Sequence, residues 1–168
     1  MQPVIERIVA SGKLIFAAAS NSGGNGKRAY PARERGVFAI HATNDDGSSP
    51  TDLNPPRDEF MNNFATLGCR IPSHWDGRDV FITGTSFATP VAVAIAANVL
   101  EFVQQAPDEF RGNPRYFFVY KGMRSLLSCM SNRKGDYDYV RPWKDDMFDD
   151  ERHDANDMHK KLQEMSIH

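Results

Sequence analysis

The chain has 168 residues, of which 40% are hydrophobic and 25% are charged, and its formal net charge at pH 7 is −2. This length predicts a single domain, and the composition is typical of an ordinary globular protein. The small net charge gives no reason to expect nucleic acid or a membrane surface as a partner. By inspection, no apolar stretch reaches the roughly 18 residues that a membrane-spanning helix requires.

The sequence carries no clear targeting or metal-binding signal. The apolar run Leu14 to Ala19 is too short for the core of a signal peptide. No Asn-x-Ser/Thr glycosylation acceptor occurs, which favours an intracellular location. Cys69 and Cys129 stand far apart, without the spacing of a disulfide framework or a metal site. We therefore expect two buried or partly buried thiols, no metal and no cofactor.

The first part of the chain alternates short apolar runs with loops. Apolar residues at helical spacing predict a helix that ends at Ser11 and Gly12. The following segments are predicted as buried strands at Lys13 to Ala19 and Gly36 to Ala42, a loop at Ser20 to Gly26, and a polar surface loop at residues 44–58.

The second part begins with a short predicted strand, Asp79 to Thr83. From Ser86 to Val103 the chain is apolar almost all round, which is typical of a buried central helix. A further helix is predicted from Tyr116 to Met130. Because strands and helices alternate along the chain, we predict an α/β domain with a parallel sheet.

The end of the chain differs in composition. Between Asp145 and His168 there are eight acidic residues and three basic ones. Such an imbalance is typical of a solvated tail. We therefore expect the folded domain to cover residues 1–143 and residues 144–168 to form a flexible acidic tail.

The segment GTSFATP, from Gly84 to Pro90, stands where a strand gives way to the apolar helix. Glycine lets the backbone approach a substrate closely. The first turn of the helix offers unpaired N–H groups and the positive end of the helix dipole. Both would stabilise the oxyanion that forms if Ser86 attacks a carbonyl. The plainer alternative is that Thr85 or Ser86 is only a helix cap.

This segment resembles the active-site serine motif of the subtilisin-like serine peptidases, Gly-Thr-Ser-x-Ala-x-Pro followed by a helix of small residues. Other stretches within residues 4–105 match landmarks in the family's order, namely Phe16 to Gly23, Tyr30-Pro31, Val37 to Ala42 and Phe64 to Gly68. The resemblance implies the C-terminal half of a subtilisin-like catalytic domain, with its parallel-sheet α/β fold.

The resemblance also implies residue roles. Ser86 matches the nucleophile, and Asn21 matches the side-chain donor of the oxyanion hole, with the N–H of Ser86 as the second donor. Asn21 distinguishes this family from the sedolisins, which share the Gly-Thr-Ser motif but use Asp at that position. The implied substrate is a polypeptide, and the strand that lines its pocket matches Ala17, Ala18, Ala19 and Ser20.

The chain departs from the family's pattern at several positions. Ser20 stands where the family usually has Gly, which would narrow the pocket. Val91 and Ala94 replace a common His and Gly on the helix. The catalytic Asp and His precede the serine in this family, but only 20 residues precede Asn21 and none carries a matching motif. The family often binds calcium, yet no carboxylate loop here predicts such a site.

The missing base leaves two interpretations open. His41, in a predicted strand, and His74, in a predicted loop, are not expected to replace it, because geometry comes first in general-base catalysis. The chain is then either the nucleophile half of a serine endopeptidase, with the Asp and His upstream or on a separate chain, or an inactive remnant used for binding. The presence of both Ser86 and Asn21 favours the peptidase. By itself the chain should be nearly inactive and expose an apolar strand edge and helix face.

Overall fold

The computed structural model of the chain describes residues 2–105 and 113–141. Its elements, in chain order, are α1 (Gln2–Ala10), β1 (Ile15–Ala18), β2 (Val37–Thr43), β3 (Phe64–Leu67), β4 (Ile71–Trp75), β5 (Arg78–Ile82), α2 (Thr85–Gln105), a 3-10 helix (Pro114–Phe118), α3 (Tyr120–Cys129), β6 (Ser131–Lys134) and β7 (Tyr137–Val140). The predicted N-terminal helix, the first two strands and the long apolar helix are therefore confirmed, with slightly shifted ends. The predicted burial is confirmed for β2 but not for β1, in which only Ala17 is buried.

The predicted parallel sheet is also confirmed. Its strands lie in the order β1, β2, β3, β7, β6. The pairs β1–β2, β2–β3 and β3–β7 are parallel, and β6 pairs with β7 in the antiparallel sense. All seven residues of β2 are buried. This near-continuous apolar strand is what a parallel sheet requires, because both of its faces are covered.

Helices and loops cover the two faces of the sheet. Side chains alternate across a strand, so Phe38 and Ile40 of β2 lie in the larger core cluster with α2 and α3. Val37 and Ala39 point to the other face and pack with Ile5 of α1. The buried residues of α2 lie on one side of the helix and are Thr85, Ala88, Ala92, Ile95, Ala96, Val99 and Val103.

Two predicted elements differ from the structure. The helix predicted from Tyr116 to Met130 is divided, because Val119 has an extended backbone (φ −116°, ψ 161°) between the 3-10 helix and α3. The strand predicted from Asp79 to Thr83 exists as β5, but it pairs with β4 in a separate antiparallel hairpin. His74 therefore lies in a strand of that hairpin, and its prediction as loop material is wrong.

The segment 44–58, predicted as a surface loop, is only partly one. Asn54 is buried and its side-chain amide bonds to the backbone of β2, accepting from the N–H of Ala42 at 2.8 Å and donating to the carbonyl of Ala42 at 2.7 Å. The loop thus supplies hydrogen-bond partners to the backbone of β2, which a buried strand backbone needs. The predicted acidic tail and the boundary at residue 143 lie outside the described residues.

The cysteines behave as expected from the sequence. Both thiols are free, with Cys69 buried and Cys129 partly buried. Burial raises the pKa of the Cys69 thiol above its ordinary value, because a thiolate is poorly solvated in the core. Cys69 is therefore a core residue rather than a reactive nucleophile.

Helix α2 contradicts the expectation that no apolar stretch is long enough to span a membrane. By length and composition this 21-residue helix is apolar enough to cross a membrane, so the statement that no stretch reaches that length is wrong. One face of α2 packs against the sheet, as the core helix of a globular domain does. Even so, only 33% of its most apolar 18-residue window is buried, which leaves an apolar face uncovered.

Candidate active site

The nucleophile segment is held at the carboxyl end of the parallel strands. Gly84 donates its N–H to the carbonyl of Gly68, just after β3, at 2.8 Å. Thr66 of β3 donates its hydroxyl to the carbonyl of Ala88 at 2.7 Å, which fixes the first turn of α2. Ser86, the second residue of that helix, is exposed. Ligand sites of open α/β sheets commonly lie at this edge.

Asn21 reaches this segment from the loop after β1. Its Oδ1 accepts from the N–H of Thr85 at 2.9 Å and from the Thr85 hydroxyl at 3.0 Å. Since Oδ1 is bound to two donors, the amide orientation is determined and the Nδ2 amino group is turned away from Thr85. Within the described part of the chain, neither Asn21 Nδ2 nor the N–H of Ser86 has an acceptor, so two donors remain available for an oxyanion.

These contacts also decide the helix-cap alternative. The helix begins at Thr85, and the N–H of Thr85 is satisfied by the side chain of Asn21, more than sixty residues earlier in sequence. The Thr85 hydroxyl donates to that same oxygen instead of capping its own helix. Ser86 is therefore not needed as a cap, because a distant residue supplies that hydrogen bond.

Gly84 provides the space for this arrangement. A Cβ at Gly84 would lie 3.1 Å from Asn21 Nδ2, closer than an ordinary van der Waals contact. Gly68 is similarly enclosed, since a Cβ there would lie 2.7 Å from Cβ of Ala88 and 2.8 Å from Cβ of Ala42. Both glycines are therefore required for the close packing that positions the candidate nucleophile.

Ser20 adopts a strained backbone beside Asn21. Its φ is +148°, a region that is essentially restricted to glycine. The Ser20 hydroxyl lies 2.7 Å from the Ser22 hydroxyl and accepts from the N–H of Ser22 at 3.2 Å. The serine that replaces the family's usual glycine thus keeps the glycine-type conformation and uses its side chain within the loop.

A shallow apolar groove of about 550 Å³ lies next to Ser86. It contains two of the four predicted pocket residues, Ala17 and Ala18. Ala19 is fully buried, and neither Ala19 nor Ser20 lines this groove. The residues that complete the groove come from β1 and from α2, namely Phe16, Thr89, Pro90, Val93 and Ala94.

The two histidines in the described residues have hydrogen-bond partners other than Ser86. His41 is completely buried, with Nδ1 3.0 Å from the carbonyl of Phe64. Burial lowers its pKa to about 3, the Phe64 carbonyl opposes the shift, and nearby Arg28 adds to it. His74 lies on the hairpin, 3.1 Å from Asp79. In the described part of the chain neither histidine hydrogen-bonds to Ser86, and that they do not replace the base stays a prediction.

Metal chemistry was not predicted, and the residues that the structure describes contain no group of three or more His, Cys, Asp or Glu placed to hold an ion.

Sequence reasoning missed the roles of Thr66 and Thr85. Thr85 was considered only as a cap, although its two donors orient Asn21. The signal was present in the adjacent Gly-Thr-Ser motif, but the partner lies too far away in sequence for spacing to reveal it.

Comparison with known proteins extends this description. No family model matches the chain. A curated relative, the subtilisin-like protease het-Q2 of Podospora anserina, is 38% identical over an alignment of 97 residues, and the match covers 55% of this chain and 26% of that protein. The matched part of the relative is thus about a quarter of its length.

Solved protease domains share the fold. A mutant of the protease domain of PatA gives a TM-score of 0.66 at 21% identity, covering 83% of this chain and 49% of that one. The prenylagaramide maturation protease PagA gives 0.62 at 19% identity, covering 98% of this chain and 55% of that one. The chain spans about half the length of these structures. Sequence and fold together confirm its resemblance to part of a subtilisin-like protease catalytic domain.

Proposed function

We propose that this chain carries the nucleophile and the oxyanion hole of a serine endopeptidase. The observation that carries the proposal is the orientation of Asn21. Thr85 binds its oxygen with two donors, which leaves the amino group to act together with the N–H of Ser86. Two preorganised donors beside an exposed serine are the arrangement that acyl transfer requires.

In the proposed reaction, the Ser86 Oγ attacks the carbonyl carbon of a peptide bond, and its proton passes to a base. The carbonyl oxygen becomes an oxyanion and accepts hydrogen bonds from Asn21 Nδ2 and the N–H of Ser86. The peptide C–N bond then breaks, the base returns the proton to the leaving amine, and an acyl ester forms on Ser86. Water hydrolyses this ester and restores the serine.

This reaction needs a base from polypeptide beyond the described residues. An unactivated serine is a weak nucleophile, and in subtilisin, whose data define this range, losing the base costs about 10⁶ in kcat. We therefore expect the 168-residue chain alone to be nearly inactive. When a histidine is supplied, activity should rise towards neutral and alkaline pH, because only the neutral imidazole accepts the serine proton.

A fluorophosphonate probe tests the proposal, because it reacts with serines that are activated by a base. The chain is expressed in the cells from which it derives, and labelling is followed for wild type, Ser86→Ala and the nearby exposed Ser22→Ala. Labelling of wild type and Ser22→Ala, but not of Ser86→Ala, is expected. Absence of labelling in wild type would instead favour the alternative of an inactive remnant that only binds other molecules.

A further inference from the structure

Arg28 is a buried cation with unused hydrogen-bond donors. Its exposed fraction is only 7%. Nη2 donates to Oδ1 of Asn63 at 2.6 Å, whereas Nε and Nη1 have no hydrogen-bond partner among the residues that the structure describes. No carboxylate of residues 2–105 and 113–141 forms an ion pair with Arg28 either. Because an unpaired buried charge is costly, an anion bound here would stabilise the fold.

Asn63 holds the guanidinium of Arg28 in place. Asn63 is itself buried, and its Oδ1 also accepts from the N–H of Asp58 at 2.9 Å. Its Nδ2 donates to the carbonyls of Asp58 and Met61 at 2.8 and 3.0 Å. Since both ends of the amide are used, its orientation is determined. Arg28 is therefore positioned before any ligand arrives, which lowers the entropic cost of binding.

The guanidinium keeps one two-pronged edge free. Nη2 carries two hydrogens, of which one goes to Asn63. The other forms an edge either with the N–H of Nε or with an N–H of Nη1, and both of these groups lack partners in the described part of the chain. Such an edge donates two parallel hydrogen bonds to two oxygens of the same oxyanion. The free donors of Arg28 therefore match a carboxylate or a phosphate better than a neutral acceptor.

Arg28 lies on the wall of a cavity of about 440 Å³. Three further cations and two carboxylates line the same cavity, namely Lys27, Arg33, Arg57, Asp58 and Glu59. Four cations against two carboxylates leave the lining with a net charge of +2. The three other cations are exposed and flexible, so their side chains can turn towards a ligand whose oxygens reach Arg28. We call this site the Arg28 cavity.

The carboxylates of the cavity do not neutralise Arg28. Oδ1 of Asp58 accepts from the N–H of Phe60 at 2.9 Å, and Asp58 is not hydrogen-bonded to Arg28. Burial lowers the pKa of Arg28, and the charge of Asp58 opposes this shift without cancelling it. The surplus of positive charge favours a ligand with more than one negative charge. A phosphate group, which carries about −1.5 to −2 at pH 7, matches the lining better than a single carboxylate does.

We infer that the Arg28 cavity is a binding site for a phosphate group, either as inorganic phosphate or as a phosphate monoester. The two-pronged edge of Arg28 would hold two phosphate oxygens, and the exposed cations would neutralise the remaining charge. Neither Ser86 nor Asn21 lines this cavity. The inference therefore goes beyond the proposed function and can fail or succeed independently of it.

The experiment measures binding of inorganic phosphate to the full 168-residue chain by ³¹P NMR. Saturable broadening of the phosphate signal is expected with wild type. Glycerol 3-phosphate is titrated in the same way to distinguish the two sources of the group. Equal affinities would identify free phosphate as a sufficient ligand, whereas tighter binding of the ester would show that the cavity also contacts the rest of that molecule.

Arg28→Met should weaken phosphate binding about tenfold or more, because it removes a charge-assisted two-pronged contact. Arg28→Lys keeps the charge but not the two-pronged edge, and should lose most of the same affinity. Arg124→Met is the matched control, since Arg124 is exposed on α3 and makes the same change in charge. It should bind like wild type. Circular dichroism checks that all three variants are folded, and Arg28→Lys keeps the test decisive if Arg28→Met is not.

Thermal unfolding gives a second measurement of the same binding. Phosphate stabilises folded proteins in general because it is excluded from their surface, and this effect should be equal in all variants. Specific binding adds a further rise in Tm, which is expected in wild type and Arg124→Met but not in Arg28→Met.

Three results would overturn the inference. The first is an absence of saturable broadening with wild type, and the second is equal affinity of wild type and Arg28→Met for phosphate. The third is displacement of phosphate by acetate at equal concentration, because the cavity would then be a carboxylate site.

Discussion

Strands β1 and β2 lie side by side in parallel and have similar apolar sequences, yet their environments differ. Every residue of β2 is buried, whereas in β1 only Ala17 is. Among residues 2–105 and 113–141, β2 has a strand on each side and β1 has a strand on one side only. An apolar sequence therefore does not by itself predict that a strand is buried, because burial also depends on whether neighbouring strands and helices cover it.

The largest expected difference between these strands is in core stability. Phe16 of β1 and Phe38 of β2 stack with ring centroids 4.9 Å apart, and only Phe38 is fully buried. Phe38→Ala should lower the free energy of unfolding by about 3–5 kcal/mol. Phe16→Ala should cost about half as much in the chain alone, because its ring is partly in water already. Urea unfolding of both variants measures this, and equal losses would contradict the comparison.

The missing half of the domain that the resemblance implies would sharpen that result. If that half adds a strand to the free edge of β1, Phe16 becomes buried like Phe38, and the cost of Phe16→Ala should rise towards that of Phe38→Ala. A cost for Phe16→Ala that is identical with and without that half would show that β1 is not the edge it covers.

Asn21→Asp should have a large effect on chemistry and a small one on the fold. Aspartate keeps an oxygen for the two Thr85 donors but removes the amino group. In subtilisin, removing this type of donor lowers kcat about 10²–10³-fold, and we expect a similar loss in the rate of fluorophosphonate labelling. Asn21→Ala is the comparison variant, because it should lose the same rate and also destabilise the start of α2. Unchanged labelling of Asn21→Asp would remove Asn21 from the oxyanion hole.

Much of this architecture was predictable from local sequence. The apolar runs gave β1 and β2, the small-residue helix after Ser86 gave α2, and the order of motifs gave the family resemblance. What local sequence could not supply were partners at long range. The β4–β5 hairpin and the hydrogen bonds from the Asn54 side chain to β2 depend on tertiary pairing, which the pattern of a single segment does not encode.

The site shows the same division. Ser86 and Asn21 were identified by their motifs, and the structure brings them to one helix terminus. The contribution of Thr85 and the strain at Ser20 required coordinates, because one is a side-chain contact across the fold and the other a backbone angle. Of the four predicted pocket residues, only Ala17 and Ala18 line the groove. Ala19 is buried in the core, and most of the other lining residues come from α2.

The covered side of the sheet should be acid-sensitive through His41. Its folded-state pKa is lowered from 6.5 to about 3, chiefly by burial, and it faces Arg28 and the ring of Tyr137. The unfolded chain takes up a proton below pH 6.5 while the folded chain does not. The stability associated with neutral His41 is thus complete above pH 6.5 and is lost as the pH falls towards 3, by up to about 1.4 kcal/mol per pH unit.

His41→Gln tests this pH dependence, because Gln can still donate to the Phe64 carbonyl but does not titrate. Between pH 6.5 and pH 5, wild type should lose about 2 kcal/mol more stability than the variant. Urea unfolding across this range gives both slopes. Parallel slopes would show that His41 has an ordinary pKa in the folded protein.

The smallest expected change in stability is at Ser20, in the loop that follows the half-buried strand β1. Its φ of +148° is strained for any residue with a Cβ, at a cost of about 1–3 kcal/mol. Ser20→Gly removes that strain but adds about 0.5–1 kcal/mol of unfolded-chain entropy, so a net stabilisation of about 1 kcal/mol is expected. Ser22→Ala breaks the exposed contact between the two hydroxyls without changing Ser20, and should alter stability by less than about 0.5 kcal/mol. Thermal unfolding of both variants distinguishes the two contributions. A less stable Ser20→Gly would mean that the hydroxyl contacts outweigh the backbone strain beside Asn21.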